Sequence, residues 1–203
     1  MHLRRRVRVV PKRTILYREG EAWEEFYSLH TGWAFNYRIS GDGKRQIFDF
    51  LIPGDGVNLS SLRLDRAPLT VQALTDLTLC VFDRSELDRY VHEDVERTHR
   101  VENYWLNVVW AVKNNLMDIG RRSSTQRIAR FILHLEERLR ERGQVTDGPF
   151  PFPLGHPHIA DALGLTPVHV NRVISAFRRQ GLIELRGKKL HIKKHREFTA
   201  LAN

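Results

Sequence analysis

The chain has a single cysteine, only two methionines and no long apolar run. One thiol, Cys80, excludes an internal disulfide and any all-cysteine metal or iron–sulfur site. A membrane-crossing helix needs roughly 18 or more consecutive apolar residues. The densest patch, WLNVVWAV at 105–112, is far shorter and lies between Arg100 and Lys113, so no membrane partner is expected. The basic start, MHLRRRVRVV, has no apolar core after it and does not read as a secretory signal, which makes the cytoplasm the expected location. No nucleophile motif, phosphate-binding glycine loop or catalytic carboxylate pair is found, so no catalytic residue is assigned and the chain is not expected to be an enzyme. His156 and His158 flank Pro157 as loop ligands would, but no third ligand stands at useful spacing, and no metal or other cofactor is assigned.

What is present is charge of one sign at one end. The 203 residues carry a formal net charge of +9. Residues 1–120 hold 17 basic and 17 acidic residues, whereas 121–203 hold 16 and 7, so the whole excess sits in the C-terminal part. A neutral body joined to a basic module is the electrostatic footprint of nucleic-acid binding.

The pattern changes along the chain. Residues 14–83 read as short strands separated by turn signals at Thr31-Gly32, GDGK (41–44) and Pro53-Gly54-Asp55. Six or more strands at that spacing predict an antiparallel roll or barrel. Asp83 with Glu86 three residues on starts a short helix. A longer helix is expected from about Asp94 to Asp118. Along it Val101, Trp105, Val108, Val112, Asn115 and Ile119 recur in steps of four and three, a heptad seam suited to a second copy of the chain. Leu106, Val109, Trp110 and Leu116 make a second apolar stripe. Another helix is expected over 121–143, followed by the loop QVTDGPFPFPLG.

The C-terminal part carries the most specific signal. HPHIADALG (156–164) fits a short helix with Pro157 in its first turn and Gly164 just beyond its end. TPVHVNRVISAFRRQGLI (166–183) follows, with Thr166 as N-cap and Pro167 at the first helical position. Two helices joined by a tight glycine turn make a helix-turn-helix. At about 100° per residue, Val170, Val173, Ile174 and Phe177 share one side of the second helix. Val168, Arg172, Ser175 and Arg179 lie opposite, flanked by His169 and Asn171. Such a face suits the major groove, where arginine pairs with guanine, asparagine with adenine, and valine meets a thymine methyl. GLIELRGKKLHI (181–192) then reads as a hairpin turning at Arg186-Gly187-Lys188-Lys189, its cations placed for phosphates.

At this point the sequence resembles the cyclic-AMP receptor protein / fumarate-nitrate regulator (Crp/Fnr) family of bacterial transcription factors, over nearly its whole length. REGE, YSLHTGWA, DGKRQIFDFLIPGD, the long helix, IADALGLTPVHVNRVISAFRRQGLI and the hairpin fall in the family's order. The resemblance implies an α+β chain: a cyclic-nucleotide-binding-like β-roll over 1–93, a dimerisation helix over 94–120 and a winged helix-turn-helix over 121–203. It implies a homodimer on a palindromic DNA operator, acting with RNA polymerase. Base readout is expected from Val168, His169, Asn171, Arg172 and Ser175, with Arg172 matching the family's guanine-reading arginine. Phosphate contacts are expected from Thr166, Arg179, Arg186, Lys188 and Lys189.

The departures concern the effector. Cyclic-AMP binders of the family carry a Gly-Glu-Leu turn and an Arg-Ser pair around the cyclic phosphate. Here those regions read GDGVNLSSL (54–62) and Ala67-Pro68, with Arg66 adjacent. The cysteine cluster of the oxygen-sensing branch is missing, and Cys80 reads as a small apolar core residue. Val168 and Asn171 stand where many members have glutamate and serine, and the chain starts close to its first strand, so that the helix most members place before it is either absent or lies ahead of this start. The expected function is a homodimeric, sequence-specific transcriptional regulator not dependent on cyclic AMP, with an unknown effector. The alternative is a ligand-sensing module acting through protein partners.

Overall fold

The computed structural model describes residues 5–57, 59 and 64–202. Aromatic and β-branched runs between turn residues form eight strands in its N-terminal part: β1 (Arg6–Val10), β2 (Ile15–Tyr17), β3 (Glu25–Thr31), β4 (Ala34–Ile39), β5 (Arg45–Leu51), β6 (Gly56–Val57), β7 (Thr70–Ala73) and β8 (Leu77–Asp83). They pair antiparallel in two four-stranded sheets, ordered β1-β8-β3-β6 and β2-β7-β4-β5. β1 precedes the region read as strands from sequence. Alternation does the sorting: Leu77, Leu79 and Val81 of β8 are buried while the residues between them are not. Their partners inside the roll include Tyr17, Trp23, Tyr27 and Val71. The turn at Gly32 demands glycine, because its φ is +89° and a Cβ there would run into the Asp76 carbonyl.

Two helices follow the roll. α1 (Arg84–His92) starts at Asp83, whose carboxylate accepts from the Glu86 N–H at 3.0 Å. α2 (Val95–Arg121) is 27 residues long and buries none of its residues within the single chain. The chain divides into two compact units, Met1–Leu116 and Met117–Asn203, so the division falls inside α2.

The second unit contains α3 (Ser124–Glu141), β9 (Phe150–Pro151), α4 (His156–Leu163), α5 (Pro167–Arg179), β10 (Ile183–Arg186), β11 (Lys189–Ile192) and α6 (His195–Ala202). Ser123 and Gln126 form a capping box at the start of α3. Ile128, Ile132, Leu135 and Leu139 then bury one face of that helix. β10 and β11 form the expected hairpin, but the sheet has three strands, ordered β10-β11-β9. The loop expected over 144–155 thus supplies a strand: Phe150 and Pro151 pair with Leu190 and Lys189, and Phe150 is fully buried. α6 is unexpected from sequence, and its Phe198 packs edge-on against Phe177 with ring centroids 5.2 Å apart.

Candidate nucleic-acid interface

α5 is built to show one face. Gly164 ends α4 in the left-handed conformation, with φ of +62°. Two residues later the Thr166 hydroxyl accepts from the His169 N–H at 3.2 Å, and Pro167 takes the first helical position. Val170, Val173, Ile174 and Phe177 are all buried, as their spacing predicts. Across the helix Val168 is 80% exposed, and Asn171, Arg172 and Arg179 are also exposed. Ser175 is half-buried and its hydroxyl donates to Asn171 Oδ1 at 3.4 Å. His169 is half-buried too, its ring between Arg172, with Nη2 at 2.8 Å from Nδ1, and Ser124 of α3, with Oγ at 2.6 Å from Nε2.

The hairpin beside it is strongly basic at its tip. Gly187 and Lys188 both have positive φ, +53° and +61°, the signature of a two-residue turn that keeps the strands' twist. Lys188 and Lys189 are exposed and make no ion pair among the described residues. Arg186 differs, because its Nε lies 2.5 Å from Glu184 Oε1. Ser175, Arg178, Arg179, Ile183, Glu184 and Lys193 line a shallow groove between the end of α5 and β10. The arrangement offers donors and cations on an exposed helix face.

On α2 both apolar stripes leave residues exposed, Leu106 and Trp110 of the second by 58% and 62%. Trp105, Val112 and Ile119 are 43%, 53% and 63% exposed. Val101 and Val108 are half-covered by the chain itself, while Val109 and Leu116, from the second stripe, are exposed. Trp105, Val109, Val112, Leu116 and Ile119 therefore make a continuous uncovered line in steps of four and three, with Asn115 exposed beside it.

In the roll, Ala67 is fully buried within the apolar core and Arg66 is exposed, its guanidinium donating to the Gly20 carbonyl at 2.8 Å. The Pro68 carbonyl accepts from Arg38. Asn58 and Ser60–Leu62 of the GDGVNLSSL stretch lie outside the described residues. Cys80 is half-buried on β8. His158 spends its Nδ1 accepting from the Gly155 N–H at 3.1 Å, a capping contact at the start of α4. No group of three potential metal ligands is found among the described residues, and no helix among them is long and apolar enough to cross a membrane. One polar network lies on the roll. Arg8 donates to both Glu25 carboxylate oxygens, at 2.7 and 2.9 Å, and Tyr27 donates to the same carboxylate at 2.8 Å. The Arg8 hydrogen bonds hold the Glu25 carboxyl below the usual range.

Comparison with known proteins matches each unit separately. A family model for a cyclic nucleotide-binding domain matches residues 7–94, and one for a Crp-like helix-turn-helix domain matches residues 126–201. The chain is 31% identical to the nitrogen fixation regulation protein FixK of Bradyrhizobium diazoefficiens, over 91% of this chain and 76% of that one. It is 29% identical to the transcriptional activatory protein AadR of Rhodopseudomonas palustris, over 98% of this chain and 82% of that one. Among solved structures, FixK2 from Bradyrhizobium japonicum superposes with a TM-score of 0.89 at 25% identity, covering 99% of this chain and 98% of that one.

Proposed function

This chain belongs to the Crp/Fnr family of transcriptional regulators, and on that premise we propose that it is a homodimer that reads a palindromic operator through α5 without needing cyclic AMP. That it is a regulator with a helix-turn-helix DNA-binding domain follows from the family. The observation that carries the finer reading is the outward face of α5, where an 80%-exposed valine stands among Asn171, Arg172 and Arg179 beside a lysine-tipped hairpin. An arginine and an asparagine there can each make paired hydrogen bonds to a base edge, and the valine among them can meet a thymine methyl. Val168, Asn171, Arg172 and Ser175, with His169 beside them, face base edges. Thr166, Arg179, Arg186, Lys188 and Lys189 hold phosphates. The uncovered line on α2 pairs with its copy, which sets two copies of α5 on two half-sites. Bound there, the dimer acts on RNA polymerase in the cytoplasm. Selection of duplexes from a random library, with binding compared at two salt concentrations, tests this reading. A two-fold symmetric consensus whose half-sites lie about one helical turn apart supports it, and binding with no base preference overturns it.

A further inference from the structure

The outward face of α5 contains a histidine that is occupied at both ring nitrogens before any ligand arrives. Nδ1 of His169 meets Arg172 Nη2 at 2.8 Å, and Nε2 meets Ser124 Oγ at 2.6 Å. A guanidinium has only donors and keeps its charge at any ordinary pH. The nitrogen that faces it must therefore carry a lone pair, which puts the ring proton on Nε2, where it donates to the serine hydroxyl. Only one tautomer of the neutral ring makes both contacts. The imidazolium keeps the serine contact but turns an N–H toward a cation. Ser124 is itself well placed as an anchor, since it follows the Ser123 capping box in the first turn of α3.

We propose that His169 is a positioning residue: in its neutral form it holds the Arg172 guanidinium in one pose, anchored on α3 through Ser124, and so sets base preference without reading a base. The inference rests on the reading of α5 as the helix that meets base edges. Arg172 is exposed, and an exposed arginine ordinarily loses side-chain freedom when it binds. A partner that already holds it lowers that loss, and it aims the planar fork as well.

α5 packs against α3, α4 and β10, and against α6 through Phe177 and Phe198. These elements bring Arg127, which donates to the Leu163 carbonyl, His158 and Asp161, and Glu184, paired with Arg186 and Lys193. Ser124 and Arg172 are the hydrogen-bond partners of the His169 ring among the described residues.

The probe is a duplex selected by the wild-type protein at about pH 8, beside the same duplex changed at the base pair that Arg172→Ala ceases to distinguish. Preference is the ratio of the two affinities, measured for the full chain. His169→Ala should lower the preference roughly three- to tenfold, a ratio that a uniform loss of affinity would leave unmoved. His169→Gln, whose amide oxygen can accept from Arg172, should restore much of the preference. Ser124→Ala, which leaves the Ser123 cap in place, should lose part of it. A His169→Ala protein with wild-type preference overturns the proposal, and so does a His169→Gln protein that restores none of it. Arg172→Ala retaining full base preference would instead bring down the reading of α5, and the positioning role with it.

Discussion

At Arg172 the question is whether a cation reads a base or merely holds a phosphate, and the same question is answered oppositely at Lys188 and Lys189. Arg172 lies exposed in mid-helix, one turn after Val168, whereas the lysines stand at a hairpin tip. Arg172→Ala should cost about 1–3 kcal/mol per half-site and relax preference at one base pair. Arg172→Lys should lose much of the same discrimination, because an ammonium lacks the planar fork. Replacing Lys188 and Lys189 by Ala should weaken binding to all sequences alike and lower the slope of log K against log salt by about one for each phosphate left without its lysine. Competition binding on a selected site and its single-position variants separates the outcomes. Ala67 and Pro68 support a second prediction at this scale. With Ala67 buried in the core and Arg66 turned to the Gly20 carbonyl, neither provides a cation for a cyclic phosphate. Burying that charge unpaired is strongly disfavoured, so calorimetry should find no cyclic-AMP binding tighter than about millimolar, or about 4 kcal/mol.

Among the elements, those whose signals are local were legible in the sequence. α5 shows its cap, its proline and its buried face within a single stretch, and the β10–β11 turn carries a glycine and lysines at its tip. β9 was not legible, since two residues in a proline-rich loop become a strand only by pairing with β11 nearly forty residues away. The role of His169 was hidden for the same reason, because Ser124 lies on another helix. The seam on α2 was legible as a heptad, but the choice between two adjacent stripes depends on which of them the chain itself covers. β3 supports a prediction of its own. Its Glu25 ties edge strand β1 across β8 through Arg8, and those hydrogen bonds lower the Glu25 pKa. A carboxyl with a depressed folded pKa contributes stability that is present above its unfolded value, about 4.3, and is lost as pH falls through the folded one. Thermal unfolding followed downward from neutral pH should show wild type and Glu25→Gln converging at the acid end. Parallel curves at all pH values would show that the pair contributes nothing.

For the molecule as a whole, α2 sets the demand. A 27-residue helix with no buried residue and two exposed tryptophans, Trp105 and Trp110, leaves more apolar surface in water than a stable monomer ordinarily shows. The line Trp105, Val109, Val112, Leu116 and Ile119 has the step of a parallel two-stranded coiled coil, and Asn115 beside it can fix the register. Because Val108 is half-covered by its own chain, its replacement would disturb the single unit as well as a dimer. Val112 and Leu116 are the cleaner choice, being 53% and 64% exposed. Val112→Asp combined with Leu116→Asp places two carboxylates opposite their copies in an apolar seam, where neither finds a partner. The double variant should sediment as a monomer at micromolar concentration, keep the thermal unfolding of its separate units, and lose binding to a two-half-site duplex while retaining weak binding to a single half-site. Loss of the single half-site as well would show that the helix supports the DNA-binding unit directly. A wild-type protein that is itself monomeric at that concentration would remove the two-fold geometry on which operator symmetry rests.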